Sequence, residues 1–236
     1  MACALALQPR LRAIADLVPD GARLVDVGTD HGFVPVDLLL SERIKHAIAS
    51  DIGAAPLDHA RRTAEQYDIG DSIEFRLCDG LRGITQDEVD CVVIAGMGGD
   101  NIAAILEAAP WTKQDVFLLL QPMSKAEVLR RWLYENGYAV VAERLVADKG
   151  VIYPILSVRG GQMAPVDASR FWGGFLLECD PLQHRYLDER ILRLHRAAAG
   201  LEKARDPEVQ QRRSYLLRII SALESLKGGE NLDNGT

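Results

Sequence analysis

The stretch Leu24-Val25-Asp26-Val27-Gly28-Thr29-Asp30-His31-Gly32-Phe33-Val34-Pro35 decides the fold. It starts as a short buried strand, breaks at a glycine and ends where an apolar helix should begin. Gly28 permits a sharp turn and a close approach of backbone to ligand. In open α/β sheets ligands bind beyond the carboxyl ends of the strands, near the switch point. Asp26, near the strand end, is placed to meet an ammonium group or a ligand-bound water. The segment is not G-x-G-x-x-G. Thr29-Asp30-His31 stands where a dinucleotide's pyrophosphate needs close, uncharged backbone, and Asp30 would repel that dianion.

Outward from this segment, strand and helix alternate. Residues 23–27, 46–50, 73–77, 91–95 and 116–120 read as strands. The last two are nearly all apolar, which suits a sheet covered on both faces. Helical spacing appears over residues 7–18, which Pro19-Asp20-Gly21 ends, and over 56–67, 101–109 and 124–136. Such alternation means parallel strands joined by right-handed crossovers. After Gly137 the pattern changes to two strands, 139–146 and 151–158, joined through Asp148-Lys149-Gly150 as a hairpin. The expected architecture is therefore α/β: a Rossmann-like, mostly parallel seven-stranded sheet with helices on both faces, in the layout of class I methyltransferases. Residues 159–166 read as a linker. Asp180-Pro181-x-Gln183 and Asp206-Pro207 read as helix starts, the first with a capping box. Leu216, Ile219, Ile220, Leu223 and Leu226 form a seam, so residues 180–205 and 206–227 are expected to make a C-terminal α-helical coiled-coil hairpin. The expected domains are 1–160 and 161–236, with a disordered polar tail from Gly228.

Further acids close the later strands. Asp51, about 20 residues past the glycine turn, suits two ribose hydroxyls, with Ile52 beside it; the competing reading is a helix N-cap. Asp79-Gly80 can meet an adenine amino group, or be a plain turn. Ala95-Gly96-Met97-Gly98-Gly99 leaves bare backbone at the cleft floor, where a flat base or a methyl donor can pass closely. S-adenosylmethionine has a positive sulfonium and an amino group but no phosphate, so these acids favour it over a dinucleotide. Asp26, Gly28, Thr29, Asp51, Ile52, Asp79, Gly80, Ala95, Gly96 and Met97 are the candidate cofactor residues.

The composition of the 236 residues, 48% hydrophobic and 26% charged, is that of a globular protein. No apolar run is long enough for a membrane span. The first seven residues lack a basic lead, so they read as the approach to a helix rather than a secretory signal. Cys3, Cys78, Cys91 and Cys179 show no metal-ligand spacing; they read as reduced thiols of a cytoplasmic protein. The net charge of −7 counts against nucleic acid, but residues 185–218 hold nine Lys/Arg against five Asp/Glu. A basic helical segment on an acidic body can still bind RNA.

Asp26-Val27-Gly28-Thr29-Asp30-His31, Ile94-Ala95-Gly96-Met97-Gly98-Gly99 and Leu120-Gln121-Pro122 together resemble the bacterial tRNA (adenine-22-N1)-methyltransferase family. Arg10-Leu11, Asp79-Gly80-Leu81, Trp132-Leu133, Tyr153 and the helical C-terminus extend the resemblance over nearly the whole chain. Two positions depart from the pattern: Met123 where Asn is frequent, and Pro154 where an acid follows the Tyr. The resemblance implies methyl transfer from S-adenosylmethionine to N1 of a tRNA adenine. The [DNS]-P-P-[YFW] motif for exocyclic amines is absent from the sequence, and N1 needs no deprotonation before attack. Asp30 is the candidate for stabilising positive charge on the adenine, with His31 at the base edge; Asp30 serving only the methionine moiety stays equally open. Arg10, Phe33, Gln121, Pro122, Tyr153, Arg190, Arg193 and Arg196 are candidate substrate residues. A monomer that binds tRNA, with no metal and no membrane, is expected. Methylation of a small molecule, and RNA binding without catalysis, are the competing readings.

Overall fold

The computed structural model describes residues 5–228. Cys3 and the tail beyond Gly228 lie outside the described residues; Gly228 itself still closes a helix. The chain divides into two compact units, Met1–Ala164 and Pro165–Thr236.

The first unit is a seven-stranded sheet. Its strands are β1 Leu24–Val27, β2 Ala47–Asp51, β3 Ile73–Leu77, β4 Cys91–Gly98, β5 Phe117–Ser124, β6 Tyr138–Asp148 and β7 Val151–Gly160, in the order β3-β2-β1-β4-β5-β7-β6. The strands β1 to β5 pair in parallel, and β7 pairs antiparallel with β5 and β6. The strand order reverses between β1 and β4, which opens a crevice at their carboxyl ends. The helices of this unit are α1 Pro9–Leu17, α2 Phe33–Leu40, α3 Ala54–Gln66, α4 Gly99–Glu107 and α5 Ala126–Glu135. Core residues of β1 and β4, such as Leu24, Cys91 and Val93, pack with Ala13, Ile14, Val34 and Leu38 of α1 and α2. On α3, Leu57, Ala60 and Ala64 form the buried stripe that the 3.6-residue spacing requires.

The hairpin β6–β7 turns through Lys149 and Gly150, both at positive φ (48° and 81°), the signature of a two-residue I′ turn. Two strands are longer than their sequence pattern suggests. β4 runs on to Gly98 and β5 to Ser124 because they keep pairing through bulges, with Ala95 opposite Gln121 and Met97 opposite Pro122. Gln121-Pro122-Met123 thus belongs to β5 rather than following it, and the bulge accommodates the proline.

In the second unit, α6 Ser169–Gly173, α7 Gln183–Gly200 and α8 Pro207–Gly228 enclose their own core. Leu187, Leu194 and Ala198 of α7 meet Leu216, Ile219, Ile220 and Leu223 of α8, the expected seam. Asp206 caps α8 by accepting the Glu208 N–H at 2.8 Å. Asp180 accepts the Leu182 N–H at 2.8 Å, in the turn that leads into α7 at Gln183. Among the described residues no helix is long and apolar enough to cross a membrane.

Candidate active site

Two cavities flank the β1–β4 crevice and share one wall residue, Gly28. The first, about 390 Å³, is lined by Asp51, Ile52, Asp79, Gly80, Met97 and Asn101 among others. The second, about 460 Å³, is lined by Arg10, Asp26, Thr29, Asp30, His31 and Phe33, with Ala95 and Gly96 at its floor. The acids read from the sequence are therefore not in one pocket. Asp51 and Asp79 face one side of Gly28, and Asp26 and Asp30 the other.

Gly28 has φ of +70°, and a Cβ there would stand 2.2 Å from the Met97 methyl group. The left-handed backbone calls for glycine here, whereas the Met97 methyl is the far end of a flexible side chain and can move aside. The turn is held by β2: the N–H groups of Gly28 and Thr29 both donate to the Ser50 carbonyl, at 2.8 and 3.0 Å. Asp26 is buried, and the Thr29 hydroxyl donates to it at 2.7 Å. Burial pushes its carboxyl up to about 6, with help from the negative charge of Asp51, while the Thr29 bond opposes the rise. Such a carboxylate gains most from a cation placed beside it.

Asp51 accepts the Gly53 N–H at 2.9 Å, so it shapes the turn before α3 as well as lining the first cavity; Gly53 holds the N-cap position. Asp79 faces Arg82 at 3.4 Å. Cys78 lines the same cavity, and burial raises its thiol, which keeps it protonated at neutral pH. From α4, Asn101, Ala104, Ile105 and Ala108 close the cavity. No local sequence pattern marked these residues, because only the packing of α4 brings them there.

In the second cavity, Arg10 donates to the side-chain carbonyl of Gln121 at 2.8 Å, and that same oxygen accepts the Gly96 N–H at 3.2 Å. Gln121 is fully buried. It is a brace that ties α1 to the glycine segment of β4, so it touches the cavity through Arg10 and Gly96. Arg10 also lies 3.9 Å from the buried Asp148. Pro122 is buried, Met123 is exposed, and Tyr153 on β7 is half-buried outside the residues lining either cavity. In the second unit, Arg190 stacks over the Tyr186 ring at 4.7 Å, while Arg193 and Arg196 are exposed.

Four carboxylates surround a bare-backbone partition, and of the two guanidinium groups lining these cavities Arg10 faces Gln121 and Arg82 faces Asp79. That set of anionic hydrogen-bond acceptors fits a cationic sulfonium with hydroxyl and amino groups, and opposes a pyrophosphate. Residues 7–156 match the family model described as "Methyltransferase domain". The chain is 37% identical to a tRNA (adenine(22)-N(1))-methyltransferase of Bacillus subtilis over 159 residues, which is 66% of this chain and just under two thirds, 66%, of that relative. It superimposes on the crystal structure of the B. subtilis tRNA methyltransferase TrmK with a TM-score of 0.86 at 28% identity, covering 94% of this chain and 99% of that one. A Streptococcus pneumoniae putative tRNA methyltransferase, solved in complex with S-adenosyl-L-methionine, matches at 32% identity and a TM-score of 0.80, covering 92% of this chain and 98% of that one. The fold, the family model and these similarities together make the chain a member of the methyltransferase-domain proteins, within the tRNA (adenine-22-N1)-methyltransferase family.

Proposed function

We propose that this protein transfers the methyl group of S-adenosylmethionine to N1 of an adenine in tRNA, at position 22 in the D-arm region. The observation that carries the reading is the pair of cavities meeting at Gly28: one suited to an adenosine, the other open to a target base, with the transfer point at the shared wall. Asp51 and Asp79 hold the nucleoside side, with Ile52, Gly80 and Met97 as its apolar and backbone walls. Asp26, oriented by Thr29, holds the amino group of the donor beside Ala95 and Gly96.

When bound, the donor supplies an electrophilic methyl group. N1 of adenine has a free lone pair, so the protein need not remove a proton first. Its task is to hold the base in line, and proximity of this kind can supply roughly 7–11 kcal/mol. The adenine must leave its stack and pair to expose N1. Phe33 offers it a ring face, and His31 a hydrogen bond at its edge. Asp30 lies beside the cavity where positive charge grows on the adenine ring, and a fixed carboxylate there lowers the barrier. In the second unit, the exposed Arg193 and Arg196 are suited to tRNA phosphates.

Unmodified tRNA incubated with labelled methyl donor should yield N1-methyladenosine on nucleoside digestion; binding of the donor with no label in any tRNA pool would reject the substrate. Asp30→Ala should lower turnover about tenfold, at the modest end for a charge-stabilising group because Asp30 is exposed. Donor affinity should hold within a factor of about two. A matched loss in both would assign Asp30 to the methionine moiety instead.

A further inference from the structure

His31 stacks with two rings: with Phe33, centroids 5.2 Å apart and planes at 11°, and with His59, at 5.0 Å and 9°. His59 comes from α3, opposite the buried stripe of Leu57, Ala60 and Ala64. It meets His31 because the turn before α2 closes directly onto α3: a Cβ on Gly32 would stand 3.1 Å from that of Ala60. This contact places one ligand atom each from Asp30, His31 and His59 within 4.8 Å of one another.

We propose that Asp30, His31 and His59 form a zinc-class divalent metal site at the mouth of the second cavity, and that metal bound there inhibits methyl transfer. Two imidazole nitrogens and one carboxylate oxygen are a donor set that zinc accepts, with water completing the tetrahedron. Metal–ligand bonds of roughly 2.0–2.2 Å require the three atoms to draw somewhat closer together. All three side chains are exposed, so they are free to rotate. The two stacked imidazoles must turn out of their parallel arrangement for their in-plane lone pairs to meet at one ion, and metal binding exchanges the ring stack for coordination bonds. Asp30 and His31 are 3.8 Å apart already. Chelation withdraws both groups from the cavity they line and places a cation where the target adenine must gain positive charge, which opposes the reaction electrostatically. The inhibitory half rests on the role proposed above for Asp30; the binding half does not.

The test uses metal-free full-length protein, zinc chloride followed by calorimetry, and cobalt(II) followed by its visible spectrum. His59→Ala removes the ring, and His59→Phe keeps a ring on His31 while removing the ligand atom. The wild-type protein should bind one zinc saturably at this site, and both variants should bind it at least about tenfold more weakly. Cobalt should give the intense bands of a tetrahedral site in the wild type only. Without metal, both variants should retain wild-type turnover, and zinc should inhibit the wild type at concentrations the variants tolerate. Zinc binding unchanged in both variants would overturn the site. Loss of binding in the variants with equal zinc sensitivity of transfer would overturn the inhibition. An absence of transfer to tRNA in every protein would reject the substrate reading and leave the binding result standing.

Discussion

Asp26→Asn should weaken S-adenosylmethionine binding by about a hundredfold while making the ligand-free protein more stable at pH 7. Both effects come from one buried carboxylate. Its titration point is raised from 3.8 to about 6, first by burial and then by the charge of Asp51. A rise of that size is a penalty of roughly 3 kcal/mol for carrying the charge in the folded state. The direction follows from proton linkage. Between pH 4 and 6 the folded protein binds more protons than the unfolded chain, so this group costs stability progressively as pH rises through that window and costs it fully above. Asparagine keeps the shape and can still accept from the Thr29 hydroxyl, but has no charge to bury. The variant should therefore melt several degrees higher at pH 7, and that gain should fade toward pH 4. Binding reverses the sign, because a cationic ligand offsets the penalty in the wild type. Losing one partner of a buried, hydrogen-bonded charge pair costs about 2–5 kcal/mol, and about 2.7 kcal/mol corresponds to a hundredfold in Kd. Wild-type affinity should also drop below pH 6 as Asp26 protonates, an inflection the variant lacks. Calorimetric titration across pH 5–8, with melting curves of the free proteins, reads all of these; equal affinity and equal melting in the two proteins would remove Asp26 from the site.

Opposed signs would explain why a residue that stabilises the free protein is not found at this position. A carboxylate destabilised by burial would then be held ready for a cationic ligand, on a strand whose Leu24, Val25 and Val27 are all buried.

Much of this was legible in the sequence because it is local. A strand that ends in a glycine turn announces itself within a dozen residues, and Gly28, Asp51 and Asp79 each sit at or just past a strand end that can be read alone. The hairpin β6–β7 and the α7–α8 seam follow from period and turn chemistry in the same way. What the sequence could not display are the contacts that depend on which strands neighbour which. Gln121 reads as a substrate contact until the pairing of β4 with β5 shows its carbonyl held between Arg10 and Gly96. The division of the acids into two cavities with Gly28 on the wall of both depends on how the ends of neighbouring strands come together. His59 stands 28 positions from His31 and becomes its neighbour only through the contact of Gly32 with α3. The ion pair of Arg130 and Glu143, whose side chains are wholly buried, joins α5 to β6 and has no signature in either segment. Long-range pairing carries this information, and spacing along the chain does not encode it.

Gly99→Ala should cost about 3 kcal/mol of stability and also loosen the donor site, whereas Gly200→Ala should be neutral or slightly stabilising. The same methyl group is added in both. At Gly99, the first residue of α4, it would stand 2.3 Å from the Lys125 carbonyl oxygen, 3.0 Å from the carbonyl carbon and 3.1 Å from the Leu129 Cβ. That oxygen cannot swing away. It accepts the N–H groups of Val128 and Leu129 at 3.1 and 3.2 Å and so anchors the first turn of α5. Leu129 is itself fully buried. Relief must come from moving one helix against the other, and overpacking of a fixed backbone lies at the upper end of the usual 1–3 kcal/mol range. For a chain of this size that is a fall of about 6–12 °C in melting temperature. The displaced helix is the one that carries Asn101, Ala104 and Ile105 along the wall of the first cavity, so affinity for the donor should fall with it. At Gly200, near the end of α7, an added Cβ meets nothing within 4 Å, and alanine there regains helix propensity, about 0.5–1 kcal/mol in a helix interior and less at an end. Melting curves of the two variants should therefore move in opposite directions or leave only Gly200→Ala unmoved. A Gly99→Ala protein as stable as the wild type would mean that α4 and α5 are not packed through this glycine. The third glycine of Gly96-Met97-Gly98-Gly99 would then serve the site through its flexibility, and the close approach of two helices would not be its purpose.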